Sequence, residues 1–139
     1  SFKYDVSVKI TKVPDLIYRA TDEAMRLIPG VRPYPYGHVG DGNIHLSFLQ
    51  PPGLARDEFQ SQRIAFNEMV FDLVYELGGS FSAEHGVGLL KLAQMDRYKN
   101  PTALAMMRTI KQALDPNGVL NPGKVVPGAE YSETRLAND

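Results

Sequence analysis

The sequence predicts an α+β fold, and three observations carry that prediction. Short stretches rich in aromatic and β-branched residues, with apolar and polar positions alternating, read as strands. Between them lie longer stretches whose apolar residues return at helical spacing. The two kinds of element follow one another as β-α-β-β-α-β, the order of a ferredoxin-like split βαβ unit: an antiparallel sheet with helices on one face. C-terminal helices are expected beyond it.

Residues 2–10 alternate and form the first strand. A helix starts at 11–14, with Pro14 in its first turn, where proline is tolerated. Leu16, Ile17, Ala20, Ala24, Leu27 and Ile28 recur along it, and Pro29-Gly30 stops it. Residues 31–38 read as a second strand, at a sheet edge because of Pro33 and Pro35. A tight turn at 40–43 leads into a third strand at 44–49. Asp57 with Gln60 resembles a capping box opening one long helix, with Phe66, Met69, Val70, Leu73 and Leu77 as its apolar stripe and Gly78-Gly79 as its end. Residues 80–83 are expected as a short fourth strand. Asn100-Pro101 starts another helix, with Leu104, Met107, Ile110 and Leu114 on one face. A turn at 115–118 and Asn121-Pro122-Gly123-Lys124 follow.

A chain of 139 residues suits one domain with one core. That domain is expected over 1–127, with a flexible polar tail at 128–139. The start, in mid-strand and without methionine, reads as a piece of a longer chain. A net charge of −1 gives no electrostatic case for nucleic acid or an anionic membrane. No apolar run approaches the roughly 20 residues of a spanning helix. Without cysteine there are no disulfides or thiolate zinc sites, so any metal must use His, Asp, Glu or backbone ligands. A cysteine-free chain fits a reducing compartment, cytoplasm or mitochondrial matrix.

Two glycine-rich segments hold all three histidines. In the first, residues 37–45, Asp41-Gly42 suit the centre of a two-residue hairpin turn. His38 would then face His45, on one sheet face with Cβ atoms roughly 4.5–5.5 Å apart, a separation at which two imidazoles chelate one ion. Ile44, Leu46 and Phe48 would face the core, leaving His45 and Ser47 on the opposite side. The second segment, residues 82–88, offers Glu84 as a third, anionic ligand. Its neighbour His85 joins the same site only if the chain turns there, since neighbours on a strand point apart. In isolation, Lys3 reads as a surface lysine, and Asn121 and Lys124 as part of a turn closing a helix.

GHVGDGNIH, SAEHGVG and LDPNGVLNPGK, in that order, with FKYDVS at the start, resemble the C-terminal domain of FAD-linked oxidases of the vanillyl-alcohol-oxidase type. The likeness is greatest to the group containing D-2-hydroxyglutarate dehydrogenase, D-lactate dehydrogenase and glycolate oxidase. It runs from Phe2 to about Val126. The resemblance implies that His38, His45 and Glu84 bind a divalent, zinc-like ion and that His85 is the catalytic base. It implies that Asn43 lines the site, that Lys3 binds a substrate carboxylate, and that Asn121, with Lys124 in the same motif, sits at the flavin. Ser47 departs from the asparagine that helps hold substrate in the hydroxyglutarate dehydrogenases.

The implied reaction oxidises a D-2-hydroxyacid to the 2-oxoacid, with FAD held by a domain this chain lacks. Alone, the chain is expected to fold, to be colourless and inactive, and to leave the histidine face open or covered by a second copy in a homo-oligomer. Two other readings stay open. One is a metal-dependent hydrolase, against which there is no HExxH helix. The other is a ferredoxin-like module that binds a small molecule without chemistry.

Overall fold

A computed structural model describes residues 1–128, and these fall into two units, one of residues 1–85 and one from residue 86 onward. The first unit has α+β topology. Strand β1 (Phe2–Ser7) leads into helix α1 (Val13–Leu27), strand β2 (Arg32–His38), strand β3 (Asn43–Leu49), and helices α2 (Arg56–Ser61) and α3 (Arg63–Glu76). The sheet order is β1-β3-β2, both pairings antiparallel.

Parity sorts each strand into two faces. One face carries Phe2, Tyr4, Val6, Ile44, Leu46 and Phe48, all buried. Leu16, Ala20 and Ala24 of α1 and Phe66, Val70, Phe71 and Val74 of α3 supply the rest of the core. The rings interlock: Phe2 stacks on Phe59 at 4.3 Å and meets Phe66 at 4.9 Å, and Phe48 meets Phe66 edge-on at 5.3 Å. Tyr4 donates its hydroxyl to Asn67, and burial holds that phenol well above the ordinary range, with Arg63 partly offsetting. Helices α1 and α3 therefore cover one face of the sheet. Leu27 stands off the α1 core ladder and is exposed.

Four local expectations are corrected. The hairpin turn is longer than two residues: Val39–Asp41 form a 3₁₀ turn, Gly42 N–H bonds Val39 O, and Gly42 takes φ +70°. His38 consequently pairs with Asn43, and His45 pairs with Tyr36. The long helix is broken at Gln62, whose N–H reaches back to Phe59 O, one residue short of an α-helical bond. No capping box forms, because Ala55 is the N-cap and Asp57 lies inside the first turn. The fourth strand shrinks to one antiparallel bridge, Ser7 to Ser80. Gly79 permits that approach, since a Cβ there would lie 2.2 Å from Ser7 O.

The second unit contains α4 (Leu92–Tyr98), a helix the sequence reading did not mark, and α5 (Pro101–Leu114). Asn100 caps α5, its side chain accepting from Thr102 and Ala103 N–H, with Pro101 following as expected. Leu104 is buried and Met107 half-buried, but Ile110 and Leu114 are exposed. The inward side of the last turns carries polar anchors instead. Arg108 donates to Pro127 O, and Lys111 to the Asp115 carboxylate and Leu120 O. Buried Asp115 also accepts from Val119 and Leu120 N–H. The ammonium of Lys111 holds the Asp115 carboxyl below the usual range, against the opposing effect of burial. From residue 129 on, the expected tail lies outside the described residues. No helix among the described residues is long and apolar enough to cross a membrane.

Candidate active site

The opposite sheet face is a grid of three rows. Lys3, Ser47 and Tyr34 form one; Asp5, His45 and Tyr36 the next; Ser7, Asn43 and His38 the third. The longer turn moved the hairpin register by two residues, an even number, so His38 and His45 remain on one face as diagonal neighbours. Their ring centroids are 5.7 Å apart. Tyr36 lies 5.0 Å from the His45 ring, with Tyr34 beyond it at 6.1 Å.

Residues 80–85 run along the outer edge of β1. Ser7 and Ser80 exchange both backbone hydrogen bonds, and Ala83 N–H bonds Asp5 O. The Asp5 carboxylate then accepts the N–H groups of Glu84 at 2.9 Å and His85 at 2.8 Å through Oδ2. This bends the chain so that two adjacent residues face one site, against strand alternation. Glu84 Oε1 lies 3.2 Å from His45 Nε2 and 3.3 Å from His38 Nε2, and accepts from Asn43 Nδ2 at 2.5 Å. The His85 ring stacks on His45 at 5.6 Å with a 15° tilt. A cavity of about 380 Å³, lined by Ser7, His38, Asp41, Asn43, Ala83 and Glu84, opens beside the cluster.

The donor set fits a divalent cation. One atom each from His38, His45 and Glu84 lie within 4.8 Å of one another. With metal–ligand bonds of about 2.0–2.2 Å, coordination edges span roughly 2.9–3.5 Å, and the two His–Glu separations fall in that window. Asp5, His45 and His85 also converge within 4.8 Å. That second group fits an ion less well, because Asp5 is 3% exposed and its Oδ2 already holds two amides. His45 presents Nε2 to the first group and Nδ1 to Asp5.

Lys3, exposed, and Ser47, buried, share the row next to Asp5 and His45 on the same face. Asn43 is buried beneath Glu84, and its Oδ1 has no hydrogen-bond partner among the described residues. Asn121 and Lys124 stand in the second unit, exposed, with Asn121 at φ +46°. The sequence reading missed Asp5, Tyr34 and Tyr36. The parity of Lys3 and His38 already put them on the site face.

Fold and site together define an α+β domain of ferredoxin-like topology in which the sheet face opposite the helices gathers histidines and carboxylates around one point. The chain belongs to the family "FAD linked oxidases, C-terminal domain", whose model matches residues 1–125. It is 37% identical over 124 residues to a D-2-hydroxyglutarate dehydrogenase of Stutzerimonas stutzeri, covering 89% of this chain and 27% of the relative. It is 34% identical over 132 residues to the mitochondrial D-2-hydroxyglutarate dehydrogenase of Arabidopsis thaliana, covering 94% and 22%. With the mitochondrial enzyme of Rattus norvegicus the identity is 37% over 128 residues, covering 91% and 22%. The chain thus spans about a quarter of the length of the curated relatives it matches.

Proposed function

We propose that this chain is the substrate- and metal-binding part of an FAD-dependent 2-hydroxyacid dehydrogenase that oxidises a D-2-hydroxyacid to the 2-oxoacid. The observation that carries the reading is the convergence of His38, His45 and Glu84, with His85 beside them, in a domain of the FAD-linked oxidase family. The names of the relatives support the substrate class.

In this reading His38, His45 and Glu84 hold a divalent ion, zinc by its ligand chemistry. When bound, the ion supplies Lewis acidity toward the hydroxyl and carboxylate of the acid, and the flavin supplies the hydride acceptor. His85, largely exposed, takes the hydroxyl proton as general base. Asn43 braces Glu84 through its amide. Lys3 lies two residues along β1 from Asp5, roughly 7 Å at strand rise, which suits a second, distal carboxylate on the substrate. Ser47, paired with Lys3, shapes that end. The flavin is held chiefly by another domain of the longer protein, with Asn121 and Lys124 as contacts from this one. The compartment follows the host: the mitochondrion, as the names of the Arabidopsis and rat relatives have it, or the cytoplasm in a bacterium.

The test is anaerobic mixing of the full-length protein with D-2-hydroxyglutarate, D-lactate and their L-enantiomers while flavin absorbance is followed. Bleaching by a D-acid and not by its enantiomer is expected. A flavin that stays oxidised with every hydroxyacid, or a protein that holds no flavin, refutes the reading.

A further inference from the structure

We propose that Asp5 is the positioning residue of this site, one buried carboxylate that both bends the 84–85 segment into place and orients the imidazoles of His45 and His85. The assignment rests on the proposed metal-bearing hydroxyacid site and names what holds it in shape. Three observations carry it.

First, Asp5 is 3% exposed in the middle of β1, a placement that strongly disfavours a carboxylate without compensating partners. Part of its compensation lies in the site. Oδ2 accepts the backbone N–H groups of Glu84 and His85, and the main-chain oxygen accepts Ala83 N–H. A charged acceptor shared by two consecutive amides fixes both residues at once. Any loss of that anchor frees the carboxylate ligand and the base together.

Second, the same carboxylate lies beside Nδ1 of both rings: Oδ1 is 3.6 Å from His45 Nδ1, and Oδ2 is 3.7 Å from His85 Nδ1. These separations are too long for hydrogen bonds but close for a charge, most of all toward His45, whose side chain is 15% exposed. A negative charge on that side favours the tautomer with hydrogen on Nδ1. The Nε2 lone pair of His45 is then directed at Glu84 and His38, where an ion would sit. Outer partners of this kind commonly set ring orientation and ligand basicity in metal sites.

Third, Asp5 and His45 are directly paired in the sheet, and the His85 ring stacks on His45. Both rings are therefore held against one rigid strand.

The decisive variant is Asp5→Asn in the full-length protein. Its carbonyl oxygen still accepts from the two amides, so the bend survives, whereas the negative charge beside the rings is gone and an NH₂ can face Nδ1. Asp5→Ala removes both functions. Metal affinity is read by competition with a chromogenic chelator, and steady-state kinetics separate kcat from KM. The tautomers of His45 and His85 are read from ¹⁵N chemical shifts in metal-free, ¹⁵N-histidine-labelled protein carrying Glu84→Ala, alone or with each Asp5 variant, because Glu84→Ala removes the carboxylate that faces His45 Nε2 and keeps the amide that Asp5 holds. Asp5→Asn is expected to bind metal about 10–100-fold more weakly. It should lower kcat more than it raises KM, and shift His45 from the Nδ1–H toward the Nε2–H tautomer. Asp5→Asn with wild-type metal affinity and an unmoved His45 tautomer overturns the proposal. If the Asp5 variants do not fold, the spectrum of Glu84→Ala with Asp5 intact decides: a His45 already in the Nε2–H form refutes the assignment. A wild type that neither binds metal nor oxidises a hydroxyacid sinks the proposed function, and the metal-free tautomer measurement still judges Asp5 on its own.

Discussion

Nε2 of His45 and Oε1 of Glu84 lie 3.2 Å apart, and Nε2 of His38 approaches the same oxygen at 3.3 Å. A carboxylate oxygen facing two imidazole nitrogens needs positive charge between them, either protons on the rings or a cation. A divalent ion meets that need with all three donors at once, and the side chains would move little to accept it.

Removing either histidine should therefore empty the site. His45→Ala and His38→Ala in the full-length protein are expected to lose both bound metal, by elemental analysis, and hydroxyacid oxidation. Glu84→Gln keeps the shape and loses the charge, and should weaken metal binding while the protein stays folded. Full metal occupancy in His45→Ala would move the site elsewhere.

His85 should separate from the ligands by experiment. Its ring is 67% exposed, and Glu84 rather than His85 completes the group formed with His38 and His45. His85→Asn should lower kcat by roughly 10²–10⁴-fold while metal content stays at the wild-type level. Metal loss equal to that of His45→Ala would make His85 a ligand and leave the base unassigned.

The sheet face was legible in the sequence because parity survives errors of detail. The turn at 39–42 is two residues longer than expected, yet an even shift keeps His38, His45, Lys3 and Ser47 on one side. The edge position of β2, foreshadowed by Pro33 and Pro35, also follows from local chemistry. What stayed hidden depends on distant partners. Asp5 lies 79 positions from Glu84, and no local pattern ties its carboxylate to that amide. Helix α4 has seven residues, too few for periodicity to stand out. Past Ser80 the fourth strand breaks up: Ser82 N–H turns back to Ser80 Oγ, Ala83 N–H still reaches Asp5 O, and the amides of Glu84 and His85 go to the Asp5 carboxylate in place of a ladder partner.

Gly42 links the turn to the core and should tolerate no side chain. It sits at φ +70°, and an alanine Cβ would lie 2.0 Å from Val8 O, whose own N–H bonds Gly42 O. Gly42→Ala is expected to cost about 1–3 kcal/mol in denaturant unfolding and to weaken metal binding, because His38 and Asn43 flank the turn. Gly53→Ala is the matched control: φ is +85°, but the added Cβ meets nothing within 4 Å. Equal losses in the two variants would assign the effect to backbone conformation alone and remove the steric argument.

Asp115 gives the second unit a pH dependence with a definite sign. Its carboxyl is held below the usual range first by the Lys111 ammonium and then by the N–H groups of Leu120 and Val119, against burial. A carboxyl whose folded pKa is depressed stabilises the fold above its unfolded pKa, and that contribution is lost as pH falls through the folded value. The turn at 115–120 should thus be unaffected from neutrality down to the ordinary carboxylate range and should loosen only below it. Lys111→Met removes the largest cause, so the Asp115 midpoint should move up and the loosening should begin at higher pH. Both can be followed by the carboxyl ¹³C shift of Asp115 and by amide exchange at Val119 and Leu120, whose N–H groups it accepts. If Lys111→Met leaves the Asp115 midpoint where it was, the ammonium is not what holds the carboxylate charged. The two backbone donors would then have to account for the depression by themselves.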